Sequence, residues 1–191
     1  MSNLPSHLGG QVYGNVDLDL VQYLKEKFNI KSLIDIGCGD GVASQKYAKQ
    51  FGIDCYGVDG DWTRLPKDEN FILHDFSKGK VEFDPEDTSF DCSYSIEFLE
   101  HVEEEYQENY MDLFSRGDIC VVTAALPGQG GHHHVNCQPQ EYWHNVFKKY
   151  GYEYLSVETK EAREISNNKT SQGKNQNQWF KNTGMIFKKI K

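Results

Sequence analysis

Two groups of residues in this 191-residue chain have types and spacing suited to chemistry. The first is Asp35-Ile36-Gly37-Cys38-Gly39-Asp40-Gly41. A turn from a strand into a helix presents backbone N–H groups, and glycine lets a ligand approach that backbone closely. A dinucleotide fingerprint would need glycine at position 42, but Val42 stands there and the spacing is GxGxG, which argues against a dehydrogenase. Asp35 adds an acid that suits a charged amine better than a pyrophosphate. The second group is Glu97-x-x-Glu100-His101, followed by the loop Gly130-Gly131-His132-His133-His134. On a helix, positions i, i+3 and i+4 share a face, so two carboxylates and an imidazole can converge there. With a loop histidine they would suit magnesium, manganese, iron or zinc.

These groups need a scaffold, and the chain supplies one in alternating runs. Apolar residues at Val16, Leu20, Val21, Leu24 and Phe28 predict a helix. Strands are expected at 31–36, 54–58, 71–73, 90–95, 119–126, near 154–157 and at 184–190. Helices are expected at 41–51, 103–115 and 140–150. Such alternation is the mark of a largely parallel sheet wrapped by helices. Acidic or polar residues near the strand ends mark one edge of the sheet as the site edge. A further acid, Asp59, closes the second strand run, and Asp75 follows the third.

Taken together, the acid-GxGxG turn, Tyr56-Gly57-Val58-Asp59, Leu73-His74-Asp75-Phe76 and the segment from Ser89 to Val102 resemble the class I S-adenosylmethionine-dependent methyltransferases. The resemblance covers roughly residues 30–154. It implies a Rossmann-like three-layer α/β sandwich, with a mostly parallel seven-stranded sheet and an antiparallel last strand. It also implies that Asp35, Gly37, Cys38, Gly39, Asp40 and Gly41 border the cofactor, with Asp59 accepting from the ribose hydroxyls and Gly60 leaving room. Asp75 would meet the adenine amino group with Phe76 beside the ring, and Ser95 and Glu97 would close the site.

The activity implied is methyl transfer to an oxygen or nitrogen of a small-molecule acceptor, with His101 first and His134 second as proton acceptors. ExxEH with a loop histidine is also similar to the metal-dependent methyltransferases that modify the terminal 2'-hydroxyl of small RNAs. On that alternative Glu97, Glu100, His101 and His134 hold a divalent metal and an RNA terminus is the partner. A non-catalytic S-adenosylmethionine-binding regulator is a third reading.

Composition narrows the setting. The length predicts a single domain over 1–191, with an N-terminal lid and helix over 1–29 and a mobile polar loop over 159–182. A formal charge of −9 opposes general adherence to nucleic acid. The basic C-terminal residues, among them Lys160, Arg163 and Lys181, read as a solvated face. No run is apolar enough to span a bilayer, five cysteines without CxxC spacing read as reduced packing residues, and a cytoplasmic protein is expected. Oligomeric state is left open. Tyr13 and Trp62 are further candidates for the cofactor's surroundings.

Overall fold

The computed structural model describes residues 4–10, 17–64, 70–83, 85–166 and 178–190. Seven strands, β1 (Ser32–Ile36), β2 (Asp54–Asp59), β3 (Phe71–Leu73), β4 (Phe90–Ser95), β5 (Gly117–Val122), β6 (Tyr152–Tyr154) and β7 (Met185–Lys189), form one sheet in the order β3-β2-β1-β4-β5-β7-β6. The first five pair in parallel with their neighbours. Only β7 runs against the rest, antiparallel to both β5 and β6. The expected three-layer architecture is therefore present.

Central strands are apolar because both sheet faces are covered. Within β1, Ile34 and Ile36 face one core layer, where α3 (Gln107–Phe114) and α4 (Gln140–Lys149) contribute Tyr110, Phe114, Trp143 and Phe147. Leu33, one residue out of phase, faces the other layer, with Leu20 and Leu24 of α1 (Leu18–Phe28) and Ala48 of α2 (Val42–Gln50). Ala162 of α5 (Ser156–Ile165) and Phe180 of α6 (Trp179–Thr183) complete that side. Each large apolar side chain withdrawn from water contributes about 1.5–3 kcal/mol. Phe147 also stacks on Phe187, with ring centroids 4.3 Å apart.

Three sequence expectations shift. The strand expected near 154–157 lies earlier: β6 spans Tyr152–Tyr154 and Ser156 begins α5, whose Thr159 and Ala162 turn inward at helical spacing. The loop expected over 159–182 is helical at 159–165 and again from Trp179, and its polar centre, 167–177, lies outside the described residues, as does Tyr13. β5 stops at Val122, before the expected Leu126; Thr123 N–H still donates to the Ser95 carbonyl at 3.1 Å, while its hydroxyl serves the site.

Helix ends tie the layers together at the carboxyl edge of the parallel strands. Asp17 caps α1 by accepting from Leu20 N–H at 3.1 Å, and it also accepts from the Ser166 hydroxyl beyond α5. Among the described residues, no helix is long and apolar enough to cross a membrane.

Candidate active site

The glycine turn is clamped to the neighbouring strand. Gly37 and Cys38 N–H both donate to the Val58 carbonyl, at 2.8 and 3.2 Å, carrying the chain across the top of β2. Gly37 has φ +75°, and a Cβ there would lie 2.4 Å from the Phe98 ring, so backbone angle and space both require glycine. Gly39, at φ +60°, turns its N–H onto Asp59 Oδ2 at 2.8 Å, while Asp59 Oδ1 accepts from Asp61 N–H at 2.8 Å. The carboxylate at the end of β2 is thus fixed by two amides.

Asp75 stands at the end of β3. Its Oδ1 accepts from Ser77 N–H at 2.9 Å and its Oδ2 meets His7 Nε2 at 3.1 Å. Burial pushes the Asp75 carboxyl up, but the contacts from Ser77 and His7 outweigh it and hold it below the usual range.

These groups line a cavity of about 400 Å³ along the carboxyl edge. Because β3, β2, β1 and β4 are successive neighbours, Asp75, Asp59, Asp35 and Glu97 follow one another along it. Asp35 is 6% exposed, and burial, with Asp59 adding repulsion, pushes its pKa up to about 7 against the opposing bond from the Ser44 hydroxyl. In register beside it, Tyr94 is 3% exposed and lines the same cavity with a hydroxyl that has no hydrogen-bond partner among the described residues.

Beyond β4 the backbone departs from the helix that ExxEH spacing suggests. Glu97 adopts φ +55°, and only Leu99–His101 forms a single 3₁₀ turn. Glu97 therefore does not share a helical face with Glu100 and His101. Thr123 holds it instead: the Thr123 Oγ1 accepts from Glu97 N–H and donates to Glu97 Oε1, each at 2.8 Å.

Glu100, His101 and His134 do converge, with one potential ligand atom from each lying within 4.8 Å of the others. Glu100 is fully buried, and neither carboxylate oxygen has a partner in hydrogen-bonding geometry among the described residues. The amides of Glu100 itself and Ala125 help it only loosely; burial first, then the Glu97 charge, raises its pKa. His101 Nδ1 donates to the His132 carbonyl at 2.8 Å, and burial reinforced by His134 lowers its pKa to about 4, so its Nε2 carries a lone pair. His134 Nδ1 lies 3.1 Å from the Gln129 carbonyl, which leaves Nε2 as the acceptor there too.

Of the residues expected from sequence, Asp35, Gly37, Cys38, Gly39, Asp59, Gly60, Asp75, Phe76, Glu97, His101 and His134 line one cavity. Asp40, Gly41, Ser95 and Trp62 do not line it. Ser95 is fully buried and donates to the Ile36 carbonyl at 2.7 Å, which fixes β4 to β1 beneath the floor. Gly41, at φ +63°, bonds back to the Cys38 carbonyl and completes the turn behind the cavity wall. Glu100 sits below the surface that His101 and His134 present.

Sequence reasoning missed His7, Ser44, Tyr94, Thr123 and Trp179. Ser44 follows the glycine turn closely enough to have been a candidate. Tyr94 lies within the Ser89–Val102 segment next to Ser95, while His7, Thr123 and Trp179 reach the site from distant segments with no local signal.

A doubly wound sheet with an acid-GxGxG turn at its carboxyl edge and acids closing the next two strands defines a class I S-adenosylmethionine-dependent methyltransferase. Consistently, a methyltransferase-domain family matches residues 11–116, more than half of the chain, and the protein belongs to that family. Solved structures share the fold at low identity. The methyltransferase domain of bacterial CtHen1 is 17% identical, with 91% of this chain and 97% of that one covered and a TM-score of 0.55. The plantazolicin methyltransferase BpumL, solved with a desmethylPZN analog and SAH, is 14% identical over 91% and 83% of the two chains, with a TM-score of 0.61. A TehB-like SAM-dependent methyltransferase from Corynebacterium glutamicum is 17% identical over 95% and 90%, with a TM-score of 0.57.

Proposed function

We propose that the protein transfers a methyl group from S-adenosylmethionine to an oxygen or nitrogen of an acceptor presented between Glu97, His101 and His134. The observation that carries this reading is the order of acids along one cavity: Asp75 and Asp59 where an adenosine would lie, then Asp35 where an amino-acid end would lie. Asp59 accepts from the ribose hydroxyls and Asp75 from the adenine amino group, His7 giving way. Asp35, with the Tyr94 hydroxyl beside it, receives the amino-acid end. The cofactor supplies a methyl group already activated on sulfonium, so the chain mainly orients the acceptor and removes its proton. His101, neutral well below pH 7, is the base. Incubation with methyl-labelled S-adenosylmethionine and fractionated small-molecule and RNA pools tests this. Label should enter one pool, whereas cofactor binding without transfer to any pool would leave a binding protein.

One observation favours a second, narrower reading. A fully buried Glu100 whose oxygens lack aligned donors, beside two histidines with lone pairs on Nε2, is a donor set suited to a divalent cation. On this reading Glu100, His101 and His134 hold the metal, Glu97 stays outside that trio with its charge felt by Glu100, and the acceptor is a hydroxyl such as the terminal 2'-hydroxyl of an RNA. A bound cation would supply Lewis-acid activation of that oxygen. Metal content of untagged protein, and turnover before and after chelation, decide it; absent metal with unchanged turnover leaves only the first reading.

A further inference from the structure

The basic residues of the C-terminal third are not all a diffuse solvated face. Lys160 and Arg163 of α5 and Lys181 of α6 surround a second cavity of about 280 Å³, lined also by Tyr154, Ser156, Thr159 and Glu164. Three cations thus meet a single carboxylate in a chain whose overall charge is −9. Arg163 is the anchor. Its Nε donates to the Gly184 carbonyl at 2.8 Å, which fixes the guanidinium, while its Nη2 is buried with no partner among the described residues. A buried guanidinium nitrogen without an acceptor is costly, and an incoming oxyanion would satisfy it. Thr159 Oγ1 already accepts from Ile186 N–H at 3.0 Å, so its own hydrogen is left to donate.

This cavity and the main one are connected through α6. Gly184 precedes β7, whose first residue, Met185, pairs with Val122 at the carboxyl end of β5. Arg163 therefore stands at the same sheet edge as the glycine turn. Moreover, α6 forms part of both walls, with Trp179 in the large cavity and Lys181, two residues on, in the small one.

We propose that Lys160, Arg163 and Lys181 form a phosphate-binding subsite, and that the methyl acceptor carries a phosphate ester held there while its reacting atom lies in the main cavity. The proposal rests on the methyl-transfer reading for the acceptor's identity, though not for the subsite itself. A phosphate ester belongs either to a small phosphorylated molecule or to a nucleic-acid strand. The two differ in how the rest of the ligand extends past Trp179.

The test is titration of uridine, uridine 5'-monophosphate and a five-nucleotide oligouridylate into the protein, with and without saturating S-adenosylhomocysteine, followed by nitrogen-15 NMR and fluorescence. Phosphorylated probes should bind and uridine should not. Lys160→Gln with Lys181→Gln should weaken them about tenfold while leaving S-adenosylhomocysteine affinity unchanged. These two lysines are exposed, so the double variant keeps its fold, unlike changes at Arg163. Binding of the monophosphate alone assigns a small phosphorylated acceptor; tighter, more salt-sensitive binding of the oligonucleotide assigns a strand. The proposal is overturned if uridine binds as well as its phosphate, if neither phosphorylated probe binds, or if the double variant binds unchanged. Failure of S-adenosylhomocysteine to bind would instead overturn the methyl-transfer reading, and the cofactor-free titrations would still report on the subsite.

Discussion

Thr123 and Glu97 form a reciprocal pair: one hydroxyl accepts the Glu97 backbone N–H and donates to the Glu97 carboxylate. Thr123 is fully buried, and Glu97 is held in left-handed backbone geometry that a non-glycine residue rarely adopts. The pair converts the end of β5 into a clamp that aims a carboxylate into the cavity from the loop after β4. Thr123→Val keeps the shape and removes both bonds. A hydrogen bond to a charged group is worth about 1.5–3 kcal/mol, so methyl transfer should fall by about tenfold to a hundredfold. Thr123→Ser should restore most of it. Comparison of kcat and KM for the two variants, with circular dichroism as the check on folding, measures this; equal rates in Val and Ser variants would leave Thr123 a packing residue.

Asp59 is predicted to control cofactor affinity through two routes. Its carboxylate is the acceptor available to ribose, and it also restrains Gly39. Asp59→Ala should weaken S-adenosylhomocysteine binding by about a hundredfold and Asp59→Asn, which keeps one acceptor oxygen, by about tenfold. Isothermal titration gives both numbers. Unchanged affinity in the alanine variant would remove the ribose assignment.

The fold and the cavity wall at Asp35, Asp59 and Asp75 were legible because they are written locally. GxGxG, Asp59 and Asp75 each sit at or just past the end of a short strand run, and the central strands are short runs buried on both faces. The wall at Glu97, His101 and His134 was only partly legible. ExxEH named Glu100 and His101 correctly as neighbours of His134, but its helical reading failed, since the Glu97 backbone obeys a threonine twenty-six residues away. Tyr94 reaches Asp35 through strand register and His7 reaches Asp75 across sixty-eight residues, pairings that no local pattern records. The stretch from 155 to 165 was misassigned because Val157 extends a strand-forming look past Tyr154, whereas the inward positions Thr159 and Ala162 follow a helix.

Asp35 makes cofactor binding depend on pH. Its folded pKa, about 7, lies above the ordinary carboxyl value of 3.8, so the native protein binds the extra proton across that interval. Stability without ligand should therefore fall as pH rises from about 4 to about 7. An ammonium group favours the ionised form, so affinity for S-adenosylhomocysteine should rise through the same window, by up to about tenfold per pH unit below 7. Methylthioadenosine, which has no amino-acid end, should show no such slope. Asp35→Asn should flatten the S-adenosylhomocysteine profile; a slope that survives the substitution would place the titrating group elsewhere.

Glu100 provides the sharpest test of a cation at the histidine cluster. Burial and the neighbouring Glu97 raise its pKa, so the folded state keeps a proton that the unfolded chain has lost, and stability falls as pH rises above the ordinary glutamate range. Glu100→Gln removes the group that must ionise and should make the protein more stable than the unsubstituted chain at pH 8, with a much smaller difference at pH 5. A divalent cation reverses this ordering, because it favours the ionised Glu100 that burial opposes. At a hundredfold excess over Kd it would add about 2.7 kcal/mol to the unsubstituted protein, which a thermal scan resolves as a rise of several degrees in Tm. Scans with magnesium, manganese, cobalt and zinc at pH 8 should show that rise for at least one ion in the unsubstituted protein and a much smaller one in Glu100→Gln. If no ion moves either Tm, His101 acts as a metal-free base beside a protonated Glu100. The rate would then fall as His101 gains its proton below about pH 4, with no dependence on chelator.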